Sequence, residues 1–304
     1  MISYLRSTHY RPAIKQLDKL KSGSWVRSER PNDDEQEALT QLGIDYDLLV
    51  DALDPHEVPR VEHDDGWTYF ITRLPDTDDD FNDYTTPIFF ALGKEYIVTV
   101  SRDSLGRLWQ PFIDNTQVST AQRTKMFMLM LEAITRQYQT RVASINRQMR
   151  ATTSDVRTLT SKDIITLTEY ERKLNDYLDA LQPTNTAVEK LLAGKLLPLY
   201  EDDRDLVEDV SIEFEQLIAR CKSLLRTITN VRDSYRAVMD TRLNETIRLL
   251  TVITLAFTAP TMIAGLYGMN VEIPGEHLPY MFWIVVVFSL AISGALGYYF
   301  LRKK

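Results

Sequence analysis

The chain has few of the side chains that build covalent, metal or catalytic sites. Its 304 residues include one cysteine, Cys221, and four histidines, which excludes disulfides and thiolate metal sites. The histidines lack a catalytic or metal-ligand spacing such as His-Glu-x-x-His. Two Gly-Lys pairs, at Gly93 and Gly194, are followed by Glu and Leu rather than by the Ser or Thr of a nucleotide-binding loop. We therefore expect neither an enzyme nor an ATP-driven pump, and no cofactor.

Negative side chains outnumber positive ones, 43 Asp and Glu against 35 Lys and Arg. The formal net charge is −8 at pH 7, which argues against nucleic acid as a partner and gives a field that concentrates cations. The N-terminus opens on the polar residues 6–9 instead of an apolar core, so no cleaved leader is expected.

Charge of either sign is missing from two C-terminal runs, 249–267 and 280–301. Each run reaches the ~20 residues that a helix needs to cross a bilayer, so membrane lipid is an expected partner. The linker 269–279 has no Lys or Arg, whereas basic residues flank the pair at its other end: Arg242, Arg248, Arg302, Lys303 and Lys304. The positive-inside rule predicts a plasma-membrane protein with two spans, cytoplasmic termini, and an outer loop whose Glu272 and Glu276 attract cations.

The remainder of the chain predicts an α+β membrane protein whose cytoplasmic α/β domain, 1–118, precedes a cytoplasmic helical part, 119–200. Aromatic and β-branched runs predict strands at 25–27, 67–74, 87–92 and 95–100. Helical spacing of apolar residues predicts helices at 33–42 and 46–53.

From Ser119 the pattern changes to long helices. Ser119 and Gln122 form a capping-box pattern that predicts a helix start. Breaks are expected near Thr152 and Pro183, which would separate helices at 119–150, 155–181 and 184–192.

The segment that follows contains no glycine or proline between Asp203 and Pro260. One continuous stalk helix over 201–268, roughly 100 Å long and including a first span at about 247–268, is the simplest interpretation. The second span is placed at 280–301 and a basic tail at 302–304. Apolar residues recur at three- and four-residue intervals, which predicts supercoiled neighbours, and we expect those neighbours to be copies of the chain.

Steps of three and four residues along this helix select one face, here called the polar stripe. Apart from Ile247 its members are small, hydroxyl-bearing, amide or acidic: Asp233, Ala237, Asp240, Asn244, Ile247, Thr251, Thr254, Thr258, Thr261, Gly265 and Gly268. One interpretation is a close helix contact in which Thr bonds to its own backbone. The other is a water-filled path shared by several copies, with Leu250 and Ile247 as apolar constrictions. Cations would enter this path because carboxylates continue the stripe below the membrane.

The tripeptide Gly268, Met269 and Asn270 stands at the outer end of the first span. At this place the sequence resembles the CorA family of magnesium transporters, whose signature is Gly-Met-Asn. The likeness extends upstream through Asn244, Glu245 and Leu250 and more loosely over the whole chain. The alternative is that glycine and asparagine only terminate a helix, as they often do.

The resemblance implies a homopentameric, funnel-shaped channel whose long helices line the pore. Gly268 and Asn270, on either side of Met269, would form the outer selectivity ring, and Asn244 a second ring, with Thr261 and Thr258 lining the path between. Mg²⁺ gives up its water reluctantly, so neutral acceptors suit a hydrated ion. Family members often have Met in place of Thr258.

The family also implies regulation, since cytosolic Mg²⁺ bridges acidic groups of neighbouring subunits and holds the pore shut. The resemblance points to two acidic segments, which supply the candidate ligands Asp209, Asp76, Asp78, Asp79 and Asp80. A solvated acidic surface is the alternative. Zn²⁺, Co²⁺ or Ni²⁺ transport within the same superfamily, and a membrane-anchored scaffold without transport, are the competing functions.

Overall fold

The computed structural model describes residues 2–8, 11–77, 83–115, 119–194, 196–197, 201–269 and 279–302. The chain divides into two compact units, Met1–Asn230 and Val231–Lys304. In chain order the elements are β1 Ile2–Thr8, β2 Arg11–Leu17, β3 Trp25–Glu29, α1 Asp33–Gln41, α2 Tyr46–Asp51, β4 Arg60–Asp64, β5 Trp67–Thr77, β6 Asp83–Leu92, β7 Ile97–Ser101, α3 Gly106–Asn115, α4 Arg123–Thr152, a 3₁₀ turn Val156–Thr158, α5 Ser161–Leu192, α6 Glu201–Tyr267 and α7 Met281–Arg302.

A seven-stranded sheet of order β2-β1-β3-β7-β6-β5-β4 forms the centre of the first unit. The β3–β7 pair is parallel, and the other pairs are antiparallel. Successive side chains of a strand point to opposite faces. In β5, Phe70 packs edge to face on Phe127 of α4, with ring centroids 5.1 Å apart, whereas Tyr69 joins the cluster that holds Leu39 of α1 and Leu49 of α2. Helices therefore cover both faces of the sheet.

The first part of α6 belongs to the core of the same unit. Its buried apolar side chains follow a strict three-and-four spacing: Val207, Val210, Phe214, Leu217, Cys221, Leu224 and Ile228. The Ser211 hydroxyl donates to the Asn185 side chain of α5 at 3.2 Å, and Val210 shares a cavity with Met128 of α4. The expectation that copies of the chain cover this spacing is wrong for this part of α6, because the chain's own α4 and α5 cover it.

The long α6 and the four predicted strands are confirmed, with differences of a few residues at their ends. Two local predictions are wrong. Helix α5 runs without interruption through Pro183. Proline removes one backbone donor and crowds the carbonyl four residues earlier, and the burial of the flanking Leu181 and Thr184 offsets this cost. Helix α4 begins after Gln122, which makes no side-chain capping bond; the Ser119 hydroxyl instead accepts from the Ala121 N–H at 3.3 Å.

A buried pair of hydroxyls joins α5 to the sheet. Thr184 Oγ1 donates to the Ala180 carbonyl at 2.7 Å and lies 2.7 Å from Thr72 Oγ1 of β5. A hydroxyl has one proton, so Thr72 is the donor in the bond between the two side chains. Of the three groups Thr72 Oγ1, Thr184 Oγ1 and the Ala180 carbonyl, Thr184 is therefore the one that accepts one hydrogen bond and donates the other.

This direction predicts unequal effects of two matched substitutions. Thr184→Val leaves the Thr72 proton without its acceptor and is expected to lower the free energy of unfolding by about 1–3 kcal/mol. Thr72→Val keeps the bond from Thr184 to Ala180 and is expected to cost only about 0.5–1.5 kcal/mol. Denaturant unfolding of the full chain in detergent measures both, and a double variant should resemble Thr72→Val. An equal cost, or the reverse order, would contradict the assigned direction.

Candidate ion pathway

The second unit contains two helices that are long and apolar enough to span a membrane. Only 6% of the most apolar window of α6, and 6% of that of α7, is buried within the protein, so neither window is the core of a soluble domain. Basic and aromatic side chains lie near the C-terminal end of α7. Arg302 lies over the Tyr298 ring, 5.7 Å from its centroid, and aromatic and basic residues at such a level are typical of a membrane interface.

Helix α7 covers one side of α6. On that side Val252 is 6% exposed, and Ala256, Ala259 and Ile263 are partly buried, again at three- and four-residue intervals. At 3.6 residues per turn this face is roughly opposite the polar stripe. Every member of the stripe, from Asp233 to Gly268, is exposed. The stripe is therefore not the contact between α6 and α7. The helix-contact interpretation is excluded for these two helices of one chain.

The four threonines of the stripe have a common hydrogen-bond pattern. Each hydroxyl donates to the backbone carbonyl four residues earlier at 2.8 Å, as the pairs Thr251–Ile247, Thr254–Leu250, Thr258–Thr254 and Thr261–Phe257 show. The single proton of each hydroxyl is thus used inside the helix, and only oxygen lone pairs remain for an outside group. The stripe presents acceptors and no donors from these residues.

The stripe ends at the C-terminal end of α6. The Gly268 N–H donates to the Ala264 carbonyl at 2.9 Å, and a Cβ at Gly268 would lie 3.2 Å from that oxygen. The position therefore favours glycine where the helix stops. Met269 is 54% exposed, while Asn270 and the outer-loop residues Glu272 and Glu276 lie outside the described residues.

At the other end, Asn244, Asp240 and Asp233 are all exposed on the stripe. Asp233 Oδ1 lies 3.7 Å from Arg236 Nη1 in a solvent-exposed ion pair, and such pairs contribute little to stability. The apolar side chains of Ile247 and Leu250 are 52% and 63% exposed, so a single chain leaves them uncovered beside the threonines.

A contact that the sequence did not reveal joins the two helices at their basic end. The Arg248 guanidinium donates to the Phe300 carbonyl at 2.8 Å. That carbonyl is among the last four of α7, which receive no hydrogen bond from an N–H of the same helix. A cation at a helix C-terminus is also stabilised by the helix dipole. Arg248 therefore caps α7 from α6.

The two candidate regulatory carboxylates that the structure describes, Asp209 and Asp76, line different cavities. Asp209 lines a cavity of about 330 Å³ together with Glu132 and Glu213, whereas Asp76 lines a different, smaller cavity with Arg141. Asp78, Asp79 and Asp80 lie outside the described residues. Within the described part of the chain, no three His, Cys, Asp or Glu side chains are placed to hold a metal ion.

Glu213, which sequence reasoning did not single out, has the most perturbed environment of this group. Burial raises its pKa, the carboxylates of Glu132 and Asp209 raise it further, and Arg136 lowers it. One of its carboxylate oxygens is buried without a hydrogen-bond donor. The ionised side chain is therefore disfavoured in the folded protein.

Glu213→Gln is expected to stabilise the protein at neutral pH. Because the folded-state pKa lies above the unfolded one, the ionised carboxylate lowers stability as pH rises, and this penalty vanishes where both states are protonated. The increase in Tm caused by the substitution should therefore grow between about pH 4 and pH 7. The exposed Glu215→Gln is the matched control and should change Tm little at either pH. A lower Tm for Glu213→Gln at neutral pH would contradict the assignment.

Known proteins with related sequences and folds match nearly the whole chain. A family profile described as CorA-like Mg²⁺ transporter protein matches residues 21–303. The cobalt/magnesium transport protein CorA of Methanocaldococcus jannaschii is 26% identical over 287 residues, 92% of this chain and 90% of the relative. The protein of the same name from Thermotoga maritima is 21% identical over 281 residues, 86% and 77% of the two chains. The complete structure of the M. jannaschii CorA magnesium transporter superposes with a TM-score of 0.87 at 21% identity, covering 100% of this chain and 98% of that one.

An α/β unit, one very long helix and two C-terminal apolar helices define an integral membrane protein with a large soluble part. The profile match then specifies the class further, and the chain belongs to the CorA-like Mg²⁺ transporter family. This confirms the resemblance carried by Gly268, Met269 and Asn270, and it makes divalent metal transport the family's activity.

Proposed function

We propose that copies of this chain form a homopentameric channel through which hydrated Mg²⁺ enters the cytoplasm. The observation that carries the proposal is the line of threonine oxygens on the face of α6 that α7 leaves uncovered. Water molecules coordinated to a cation present their hydrogens outward, so a wall of acceptors binds them. The close helix contact remains the competing interpretation, and only a contact between copies is compatible with the exposed stripe.

The ends of the stripe suit the two ends of such a channel. The Gly268 carbonyl and the Asn270 side chain are neutral acceptors, which can hold a hydrated ion without trapping it. Asn244, Asp240 and Asp233 continue the path on the cytoplasmic side and favour cations. Ile247 and Leu250 from all copies would form two apolar rings. When these side chains approach the axis, they exclude water and close the path.

The driving force is the membrane potential. It contributes about 2.3 kcal/mol per elementary charge per 100 mV, and a divalent ion gains roughly twice that on entry. Basic residues at the inner ends of the spans orient both termini to the cytoplasm of a plasma-membrane protein. No nucleotide is required for influx.

Co²⁺ is the second candidate ion. It is favoured by the M. jannaschii relative, which is known as a cobalt/magnesium transport protein. Zn²⁺ is less favoured because the chain has four histidines and one cysteine, whereas zinc prefers imidazole and thiolate ligands. Competition between the ions for uptake decides among them.

Asn270→Ala is expected to reduce Mg²⁺ flux into liposomes that contain the purified full chain. Losing the amide oxygen removes one acceptor from every copy, and a tenfold fall in flux corresponds to about 1.4 kcal/mol of lost ion stabilisation. Asn175→Ala, at an exposed position of α5, is the control and should keep full flux. Absence of flux from the unmodified protein would favour the membrane-anchored scaffold without transport. Unchanged flux in Asn270→Ala would exclude Asn270 from the selectivity ring.

Regulation by cytosolic Mg²⁺ predicts a different change for Asp209. If Mg²⁺ at Asp209 neutralises repulsion between acidic groups of neighbouring copies, Asp209→Asn should weaken inhibition of the current by internal Mg²⁺ and keep conduction itself. Asp205→Asn, exposed one turn earlier on α6, is the matched control. Inhibition that is the same in both variants and in the parent would exclude Asp209 from the sensor.

A further inference from the structure

The first unit contains a cavity of about 490 Å³ that lies outside the proposed ion path. It is enclosed by the loop before β4, by the paired strands β5 and β6, and by one face of α5. The loop supplies an apolar wall, formed by Pro55, Val58 and Pro59. Charge comes from Arg73 of β5 and from Asp176 and Asp179 of α5. A cavity of this size, with apolar walls and a few converging polar groups, is typical of a small-molecule site.

Arg73 brings positive charge to the cavity without a carboxylate beside it. Its Nε and Nη2 donate to the hydroxyl and the carbonyl of Thr85 at 2.9 Å and 2.6 Å, and its Nη1 donates to the Glu57 carbonyl at 3.1 Å. All three acceptors are neutral, and a guanidinium has five N–H groups. Two N–H groups therefore remain, and among the described residues Arg73 forms no ion pair. A partly buried cation in this state favours an anionic partner.

Asp176 and Asp179 bring negative charge from α5. They are three residues apart, so their side chains are neighbours on one face of the helix. Burial raises the pKa of Asp176, Arg172 lowers it, Asp179 raises it, and Arg73 lowers it. Neither aspartate has a hydrogen bond or an ion pair within the part of the chain that the structure describes. A cation held between these two carboxylates would relieve their repulsion.

The loop wall is held in place before any ligand binds. Arg60, at the start of β4, forms ion pairs with Asp51 at 3.0 Å and with Glu57. The bond from Arg73 fixes the Glu57 carbonyl from the other side. A cavity whose walls are fixed in this way avoids the entropic cost of ordering a loop around its ligand.

We propose that this cavity binds a free α-amino acid, with its carboxylate on Arg73 and its ammonium group between Asp176 and Asp179. A ligand with only negative charge would meet the two aspartates, and a ligand with only positive charge would meet the guanidinium. A small zwitterion satisfies both sides, and its side chain has the apolar loop wall to pack on. The inference does not depend on the proposed channel, so measurements of Mg²⁺ flux do not decide it.

Calorimetric titration of the full chain in detergent with each of the proteinogenic L-amino acids tests the proposal. At least one is expected to bind. Its methyl ester, which lacks the carboxylate, and its N-acetyl derivative, which lacks the ammonium group, should each bind about tenfold more weakly or not at all. If no amino acid binds, the proposal is overturned and the cavity is a water-filled cleft. An ester or an acetylated derivative that binds as tightly as the parent also overturns it, in favour of a site for organic cations or anions.

Substitutions on α5 locate the site of binding. Asp176→Asn combined with Asp179→Asn, at two exposed positions, is expected to weaken binding about tenfold or more and to keep the Tm of the ligand-free protein. Glu169→Gln, exposed on α5 outside the cavity, is the matched control and should bind as the parent does. Arg73→Lys should also weaken binding because lysine cannot hold a carboxylate with a planar pair of donors. If Arg73→Lys lowers the Tm, the aspartate variant decides, and unchanged affinity in that variant overturns the proposal.

Discussion

The hydrogen bonds between threonine hydroxyls and their own helix set the properties of the whole candidate path. Inside hydrocarbon every polar group must be satisfied within the protein, and α6 meets this demand by sending each of the four protons to a carbonyl one turn earlier. A helix with such side chains is stable in lipid before any copy or ion arrives. The same bonds orient the oxygen lone pairs outward. One local interaction thus satisfies the folding requirement and creates an acceptor surface.

The position of α7 decides what that surface can contact. Because α7 packs on Val252 and its neighbours, on the face opposite the threonines, the hairpin is complete without using the polar stripe. The Arg248 bond to the Phe300 carbonyl fixes the basic end of the pair. What remains uncovered on α6 is the side that carries the polar stripe. In the assembly of copies proposed above, the stripe would be the enclosed wall.

The sequence alone predicted the elements that depend on neighbouring residues in the chain. The continuity of α6 follows from the absence of glycine and proline before Pro260, and the polar stripe follows from helical spacing. Strand β1 was missed because two of its inward positions are polar; Ser3 and Ser7 are 7% and 3% exposed. Strands β2 and β4 were missed because most of their described residues are not buried, with only Ile14 and Val61 in the core. Ser7 bonds to Thr120, 113 residues away, a contact with no local pattern. The side of α6 that α7 covers, and the direction of the threonine protons, likewise depend on atoms that sequence spacing does not place.

Neutral acceptors and full charges have separate places along the helix, and this separation is consistent with conduction of a divalent ion. A carboxylate within the hydrocarbon level would bind Mg²⁺ strongly in a medium that screens charge poorly, and the ion would not leave. In the proposed channel the threonine oxygens would instead bind the ion's water, and such bonds can be exchanged one at a time as a hydrated ion moves. Asp240 and Asp233 occur only beyond the apolar run, where solvent weakens their attraction. In the proposed channel they would raise the local cation concentration at the mouth without becoming a trap in the path.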